Sequence, residues 1–432
     1  MSRSPAGTTR EEQALAEIAR TTVDPLAAMA LVAVFILLLL AGGVLELRAA
    51  ATGRSNLLHG KRALAFPRLA ELVDLWHRQG ALAAANRLRD AGVEAQDRFD
   101  RDSQLAEVLR PHLQALLTRT LRFGNSQVLV GEEGWLFFRD DFEYVTGPPF
   151  LAPESLARRG RGAPRHPSAS PDPMPAILGL AADLRGRGVG FVVVPVPTKL
   201  GIAWERFLGR RERSGPALSN SSHDEFLAGL HAAEVQVFDP TPVLRAMELR
   251  GEKPYMRFDS HWSPAGLDRV AAELSAVLEK QFELGDREVF KRGERAFERR
   301  ADLADLLGLD PGTNPYLIEP LQIQLVDGPG ERPFNSRRGP GPVLLVGDSF
   351  SRLLIRNKRK GGDANFAAQL AFYLQRPVQM LAENDAGAEF ALRASWLKRV
   401  GDLDQRKVVV FEVAERALAL GDWTPERLGA TQ

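Results

Sequence analysis

The chain contains no cysteine. Disulfides, thiolate-zinc sites and a cysteine nucleophile are thereby excluded, and the compartment is left open. Neither sign of charge is in excess: 56 Lys and Arg face 55 Asp and Glu, for a net charge of +1. A nucleic-acid partner, which asks for a basic surface, is not indicated. Histidine is scarce, at seven residues. No internal repeat is present, which sets repeat architectures aside. The rest is an ordinary globular composition, 44% hydrophobic and 26% charged, over 432 residues. That length exceeds one compact core and implies two or three units, or one enlarged catalytic domain with an appendage.

Residues 1–24 are polar and read as a flexible tail. Pro25–Leu45, PLAAMALVAVFILLLLAGGVL, is 21 residues without a charge. A helix of that length, at ~1.5 Å per residue, reaches about 31 Å, enough for a bilayer core. A signal peptide has a shorter apolar region nearer the N-terminus, so a single uncleaved transmembrane helix is expected. Arg10 and Arg20 precede it; Arg48, Arg54, Lys61 and Arg62 follow it. Taken alone, that count puts the large domain in the cytoplasm, but the imbalance is small and the rule weakens before a long domain. Residues 46–124 read as a helical stalk. Leu69, Leu72, Val73 and Trp76 fall on one helical face, and Leu105, Leu109, Leu113 and Leu116 make a second stripe with Pro111 inside it. The same stripes also suit ordinary helices of the main domain.

Residues 125–432 read as that domain. VLVGEEGWLFF, Val128–Phe138, predicts two short strands around a turn at Glu133-Gly134. Residues 147–175 are rich in Pro, Gly, Ser and Arg and predict a flexible loop insertion. Five apolar runs follow: GFVVVPV (190–196), VQVFDP (235–240), PVLLVGDS (342–349), PVQMLA (377–382) and KVVVFEV (407–413). Several are apolar throughout rather than alternating, as in parallel strands covered on both faces. Helix-like segments separate them, among them 264–282 with Pro264 near its first turn. The pattern predicts a three-layer α/β/α fold with a mostly parallel sheet.

Two stretches carry chemistry. In RFDSHWSPAG, Arg257–Gly266, Asp259 and His261 are one residue apart. In an extended segment both side chains project to one side, and the carboxylate can fix the imidazole tautomer and leave the other nitrogen as a base. Alternatively, His261 is only a helix-entry histidine near Ser263, an N-cap candidate. In PVLLVGDSFSR, Pro342–Arg352, a buried strand ends at Gly347, and Ser349 sits at its carboxyl end, at or near a helix start. Ligands bind at that edge of open α/β sheets, and a helix start favours an oxyanion. Alternatively, Ser349 is a plain N-cap. A serine there needs a base, and His261 is the one histidine of the seven with a carboxylate at i−2 in a constrained segment.

These stretches resemble a known family. GDSFS is similar to the serine block of the SGNH (GDSL-like) hydrolases. FDSHW followed later by GDSFS resembles the alginate O-acetyltransferases and their relatives, periplasmic SGNH-like enzymes that acetylate exopolysaccharides. VGEEGWLFF, VPVPTKLGIAWERF, NFAAQLAFYL and VVFEVAERAL resemble further segments of that family, so the likeness covers about residues 125–420. Ordinary SGNH hydrolases carry the serine first and a D-x-x-H last; here a D-x-H precedes the serine, the acetyltransferase order. The resemblance implies a triad of Ser349 as nucleophile, His261 as base and Asp259 as orienter. It implies an acetyl-serine intermediate and no metal or cofactor. Asn365 is the candidate for the second oxyanion donor beside the Ser349 amide; Lys199 is a candidate for a contact to an anionic sugar, or is simply exposed. It also implies a polysaccharide substrate, a membrane-bound acyltransferase partner supplying acetyl, and a site on the periplasmic side of a bacterial inner membrane, against the charge count. Two alternatives stay open: an esterase or deacetylase with the same triad, and a non-catalytic polysaccharide-binding scaffold.

Overall fold

The computed structural model describes residues 25–52, 69–92 except 82, 86, 89 and 90, and 104–429 except 162–167, 211, 213, 338–340, 355–362 and 384–389. The expected tail, 1–24, lies outside them, as does part of the expected stalk. Among the described residues ten strands form: β1 (Val128–Val130), β2 (Leu136–Phe138), β3 (Gly190–Val196), β4 (Gln236–Val237), β5 (Lys291–Arg300), β6 (Ile318–Gly328), β7 (Arg332–Pro333), β8 (Val343–Gly347), β9 (Val378–Ala382) and β10 (Val408–Ala414). The chain divides into two compact units, Met1–Leu113 and Gln114–Gln432.

In the second unit the five apolar runs all become strands of one sheet, ordered β4-β3-β10-β8-β9. Every pairing in it is parallel. The physical reason is visible in β8. Val343 and Leu345 face a core with Val192, Val194, Val408 and Val410, while Leu344 and Val346 face a second core with Val193, Val409 and Phe411. The central strands β3, β8 and β10 are therefore apolar on both sides, because helices cover both. Leu267, Val270 and Leu274 of helix Pro264–Gln281, with Phe366 and Leu370 of helix Phe366–Leu374, close the first face. Ile177 and Leu180 of Pro173–Gly186, Phe226 of His223–Ala232 and Phe390 of Phe390–Lys398 close the second. The three-layer α/β/α reading with a parallel sheet is what the structure shows.

β1 and β2 form the expected antiparallel hairpin, turning at Glu133 (φ 53°) and Gly134 (φ 75°). An element that periodicity did not announce is a second, antiparallel sheet, β5-β6-β7. The sequence of β5 is KRGERAFERR, and it is mostly exposed. With no apolar alternation it reads as solvated charge, and only ten-residue pairing with β6 makes it a strand.

The segment 147–175 is not simply a loop. Pro153–Gly160 is a helix and a second helix starts at Pro173. Arg159 is buried there, donating to the carbonyls of Pro171 and Gly421. Residues 162–167 of that segment lie outside the described residues. The second unit also begins earlier than residue 125: Gln114 Nε2 donates to the carbonyls of Phe123 (3.1 Å) and Gly124 (3.0 Å).

In the first unit, the uncharged run lies in a 27-residue helix, Pro25–Ala51, with Leu26, Met29, Leu31, Phe35 and Leu37 exposed. Among the described residues no helix is long and apolar enough to cross a membrane. The side chains of Leu38, Leu39 and Ala41 to Gly43 fall outside that description. A helix is thus observed over the expected anchor; a bilayer crossing is not. The stripes at 69–76 and 105–116 are helical, within Leu69–Gln79 and Gln104–Leu121, the latter running through Pro111.

Candidate active site

Residues 254–263 form a tight loop rather than an extended strand. Its neck is a bridge between Tyr255 and Trp262, with Met256 N donating to His261 O at 3.1 Å and Ser263 N to Pro254 O at 2.8 Å. Within it Asp259 folds back on its own backbone: Oδ1 accepts from His261 N at 3.2 Å and faces His261 Nδ1 at 2.7 Å. The i−2 spacing works through this Asp turn, not through extended geometry. Ser263 does cap the next helix, accepting from Gly266 N at 3.0 Å. Gly266 is needed there because a Cβ would stand 2.2 Å from Pro254 O. The helix-entry reading and the imidazole–carboxylate reading are both true of one loop.

The charged sheet grips this loop. From β6, Glu319 accepts from Arg257 N at 2.7 Å and Phe258 N at 2.8 Å. From β5, Arg299 Nε donates to Asp259 Oδ2 at 2.7 Å. Just beyond β5, Asp302 accepts from Ser260 N (2.8 Å) and Ser260 Oγ (2.5 Å), and its Oδ2 lies 3.4 Å from His261 Nδ1. Burial would raise the Asp259 carboxyl, but His261 and Arg299 outweigh it and hold it well below the usual carboxylate range. Burial would lower His261, but Asp259 and Asp302 outweigh it and raise the imidazole to about 9. Its Nε2 is buried and has no hydrogen-bond partner among the described residues. Asp259, His261 and Asp302 also place one ligand atom each within 4.8 Å of one another. Arg299 and Ser260 hydrogen-bond the two carboxylates of this cluster.

Ser349 follows β8 after one residue, Asp348. The side chain that caps its short helix, Ser349–Arg352, is Asp348, whose Oδ1 accepts from Phe350 N at 2.9 Å. The plain-cap reading of Ser349 therefore fails, and its hydroxyl makes no hydrogen bond among the described residues. The helix has only four residues, so the expected helix-start field is small. Below the turn Glu412 Oε2 accepts from Asp348 N (3.0 Å) and Ser351 Oγ (2.6 Å), and Arg393 Nη2 meets Asp348 Oδ2 at 3.2 Å. Burial, reinforced by Asp348, pushes Glu412 up to about 8.

Phe350 joins the two stretches. Trp262 Nε1 donates to Phe350 O at 3.2 Å, and the His261 and Phe350 ring centroids are 4.8 Å apart. Ser349, His261, Ser260, Arg299, Asp302 and Arg416 line one cavity of about 470 Å³. The structure thus brings Ser349, His261 and Asp259 into one site. Two other candidates lie elsewhere in their bonding. Lys199 is fully buried and donates to the carbonyls of Leu136 (2.5 Å), Arg257 (2.9 Å) and Asp259 (3.0 Å). Its three protons are taken, so it braces the loop and has none for a sugar. Asn365 is fully buried, caps helix Phe366–Leu374 through Ala368 N (2.9 Å) and donates to Ser336 Oγ at 2.8 Å. Its Oδ1 and one Nδ2 proton are engaged inside the fold, and Asn365 is not among the residues that line the cavity with Ser349. Arg299, Asp302, Arg416 and Glu412 were not singled out in the sequence; they lie 40 or more residues from the partners they serve, beyond the reach of spacing.

A family model described as "SGNH hydrolase-like domain, acetyltransferase AlgX" matches residues 128–415. The chain belongs to this family. Among relatives, a protein named "Probable alginate O-acetylase AlgJ" from Pseudomonas aeruginosa is 29% identical over 260 residues, 56% of this chain and 60% of that protein. The namesake from Pseudomonas putida is 26% identical over 309 residues, 69% of this chain and 71% of its own. The chain thus spans 60% of the length of the first relative. The solved O-acetyltransferase domain of Pseudomonas putida AlgJ superposes with a TM-score of 0.50 at 23% identity, over 68% of this chain and 93% of that domain. That likeness shows a shared SGNH-like fold. The structure places His261 of the D-x-H loop and Ser349 of the serine turn on one cavity of this AlgX-type domain.

Proposed function

We propose that the chain is a membrane-anchored O-acetyltransferase that acetylates hydroxyls of an exopolysaccharide through an acetyl-serine at Ser349. The observation that carries this is the His261 ring: Nδ1 is held by Asp259, the buried Nε2 is unpartnered among the described residues, and His261 lines the cavity that Ser349 also lines. In the reaction, Nε2 takes the Oγ proton as Oγ attacks the acetyl carbonyl. The proton passes to the departing group, leaving acetyl-Ser349. A sugar hydroxyl then repeats the attack with the same imidazole as base. Asp259 stays ionised and keeps Nδ1 protonated. Arg299 and Asp302 hold the carboxylate and the loop so that the imidazole does not swing.

The family and the names of the relatives support an acetyl group and an alginate-like polymer as the substrates. The helix Pro25–Ala51 supports a membrane anchor, and with it a periplasmic domain placed beside a membrane-bound acyltransferase that supplies the acetyl group. The test is mass spectrometry of the protein exposed to an activated acetyl ester, with and without an oligosaccharide. A +acetyl mass on the peptide of Ser349 that is lost in Ser349→Ala, and acetylated sugar when acceptor is added, is expected. Acetate alone would make the protein a hydrolase. Polymer acetylation unchanged by Ser349→Ala would make it a scaffold.

A further inference from the structure

We propose that Arg416 is the donor that receives the negative charge developing on the acyl oxygen during transfer to Ser349. This rests on the acetyl-serine reading above. When Oγ bonds to the carbonyl carbon, the C=O electron pair moves onto oxygen. That oxygen stays charged until the bond to the departing group breaks. A preorganised donor there is among the largest single contributions to such reactions. Asn365 is committed to a helix cap and to Ser336, and the helix after Ser349 is four residues long. A second donor beside the Ser349 amide is therefore to be sought among the residues that line the cavity.

Arg416 stands two residues beyond the end of β10, the strand paired with β8. It therefore reaches the same sheet edge as Ser349, and it lines the same cavity as Ser349 and His261. Its guanidinium is 5.4 Å from the ring of Phe350, the residue after the serine, and 5.4 Å from the ring of Phe138. Nη1 meets the fully buried Asp141 Oδ1 at 3.2 Å. Two rings and one ion pair fix the plane, while Nε and Nη2 make no hydrogen bond among the described residues. The cavity's other arginines are tied differently. Arg299 Nε is on Asp259, so turning it to substrate would release the orienting carboxylate. Arg352 pairs with Glu383, which is 54% exposed, in a screened setting. The Arg416 side chain is only 17% exposed, where a fixed charge acts more strongly.

The experiment measures single-turnover acetylation of Ser349 by p-nitrophenyl acetate in the full chain, wild type against Arg416→Met and Arg416→Lys, with thermal unfolding alongside. Arg416→Met should acylate about 10²–10³-fold more slowly at saturating ester, with KM little changed. Millimolar guanidinium should restore part of the rate. Arg416→Lys keeps the charge but loses the planar fork, and should lose about tenfold. Folded Arg416→Met that acylates within about threefold of wild type overturns the proposal. If Arg416→Met does not fold, a wild-type rate in Arg416→Lys overturns it. Wild type that never acquires acetyl on Ser349 defeats the acetyl-serine reading instead, so the two failures are distinguishable.

Discussion

His261 sits between two carboxylates that hold its proton, with its pKa raised to about 9. At neutral pH most molecules therefore carry an imidazolium, and the base is the minor form. The fraction of free base grows with pH, so Ser349 acylation should climb from neutral pH and level near 9. Asp302→Asn removes one of the carboxylates facing Nδ1 and should move this limb to lower pH. A limb that does not move in Asp302→Asn would assign Asp302 to loop architecture alone. The same shift has a stability sign. His261 contributes stability fully present below its ordinary unfolded value, lost as pH rises through about 9, whereas Asp259 contributes stability present above the ordinary carboxylate range and lost on acidification. Lys199 is a different residue-scale case. Its ammonium, fully buried, satisfies three carbonyls. Lys199→Met should leave them unsatisfied and cost about 2–4 kcal/mol in urea unfolding. Because one of those carbonyls belongs to Asp259, acylation should fall with stability.

At the scale of the element, the turn from β8 into Ser349 is packed onto Glu412 of the neighbouring strand. A Cβ on Gly347 would stand 2.2 Å from Ser351 Oγ and 2.6 Å from Glu412 Oε2. Gly347→Ala should therefore destabilise by about 1–3 kcal/mol and misplace the serine, read as a lower unfolding midpoint and a slower acylation. Glu412, raised to about 8, is protonated at neutral pH. Glu412→Gln is then close to isosteric and isoelectronic and should change stability at pH 7 by less than about 1 kcal/mol. Against this variant wild type should lose stability as pH rises from the ordinary glutamate range to about 8, then level, because the folded state holds a proton that the unfolded state has released. The elements also show why legibility was uneven. β3, β8 and β10 were legible because burial on both faces demands unbroken Val and Leu. The D-x-H pair was legible because its members are two residues apart. β5 was not, since KRGERAFERR earns its strand state only through β6. Arg299, Glu319 and Asp302 act on residues about 40–60 positions away, which spacing does not encode. Asn365 and Lys199 had the right chemistry for their suggested roles, but a helix cap and three carbonyls already engage them.

The whole molecule contains an SGNH-like unit and, in a separate unit, a long apolar helix. The unit Gln114–Gln432 contains both cores of the sheet and every residue of the cavity. Its chemistry with a small soluble ester should therefore not depend on Pro25–Ala51. Under the proposed anchoring, acetylation of polymer in the cell should depend on it, because an anchor would confine the site to the membrane surface, where a membrane-bound donor would be met at a raised effective concentration. The decisive comparison replaces residues 1–52 with a cleavable signal peptide. Acylation of Ser349 by p-nitrophenyl acetate is expected to stay within about twofold, while polymer O-acetylation, measured on the secreted material, drops about tenfold or more. A reporter active only in the periplasm, fused after Gln432, should be active in the anchored form. A silent reporter would instead side with the excess of Arg48, Arg54, Lys61 and Arg62 over Arg10 and Arg20, and put the domain in the cytoplasm. Full polymer acetylation by the released domain would mean that the acetyl donor reaches Ser349 through solution, and that the apolar helix serves delivery rather than transfer.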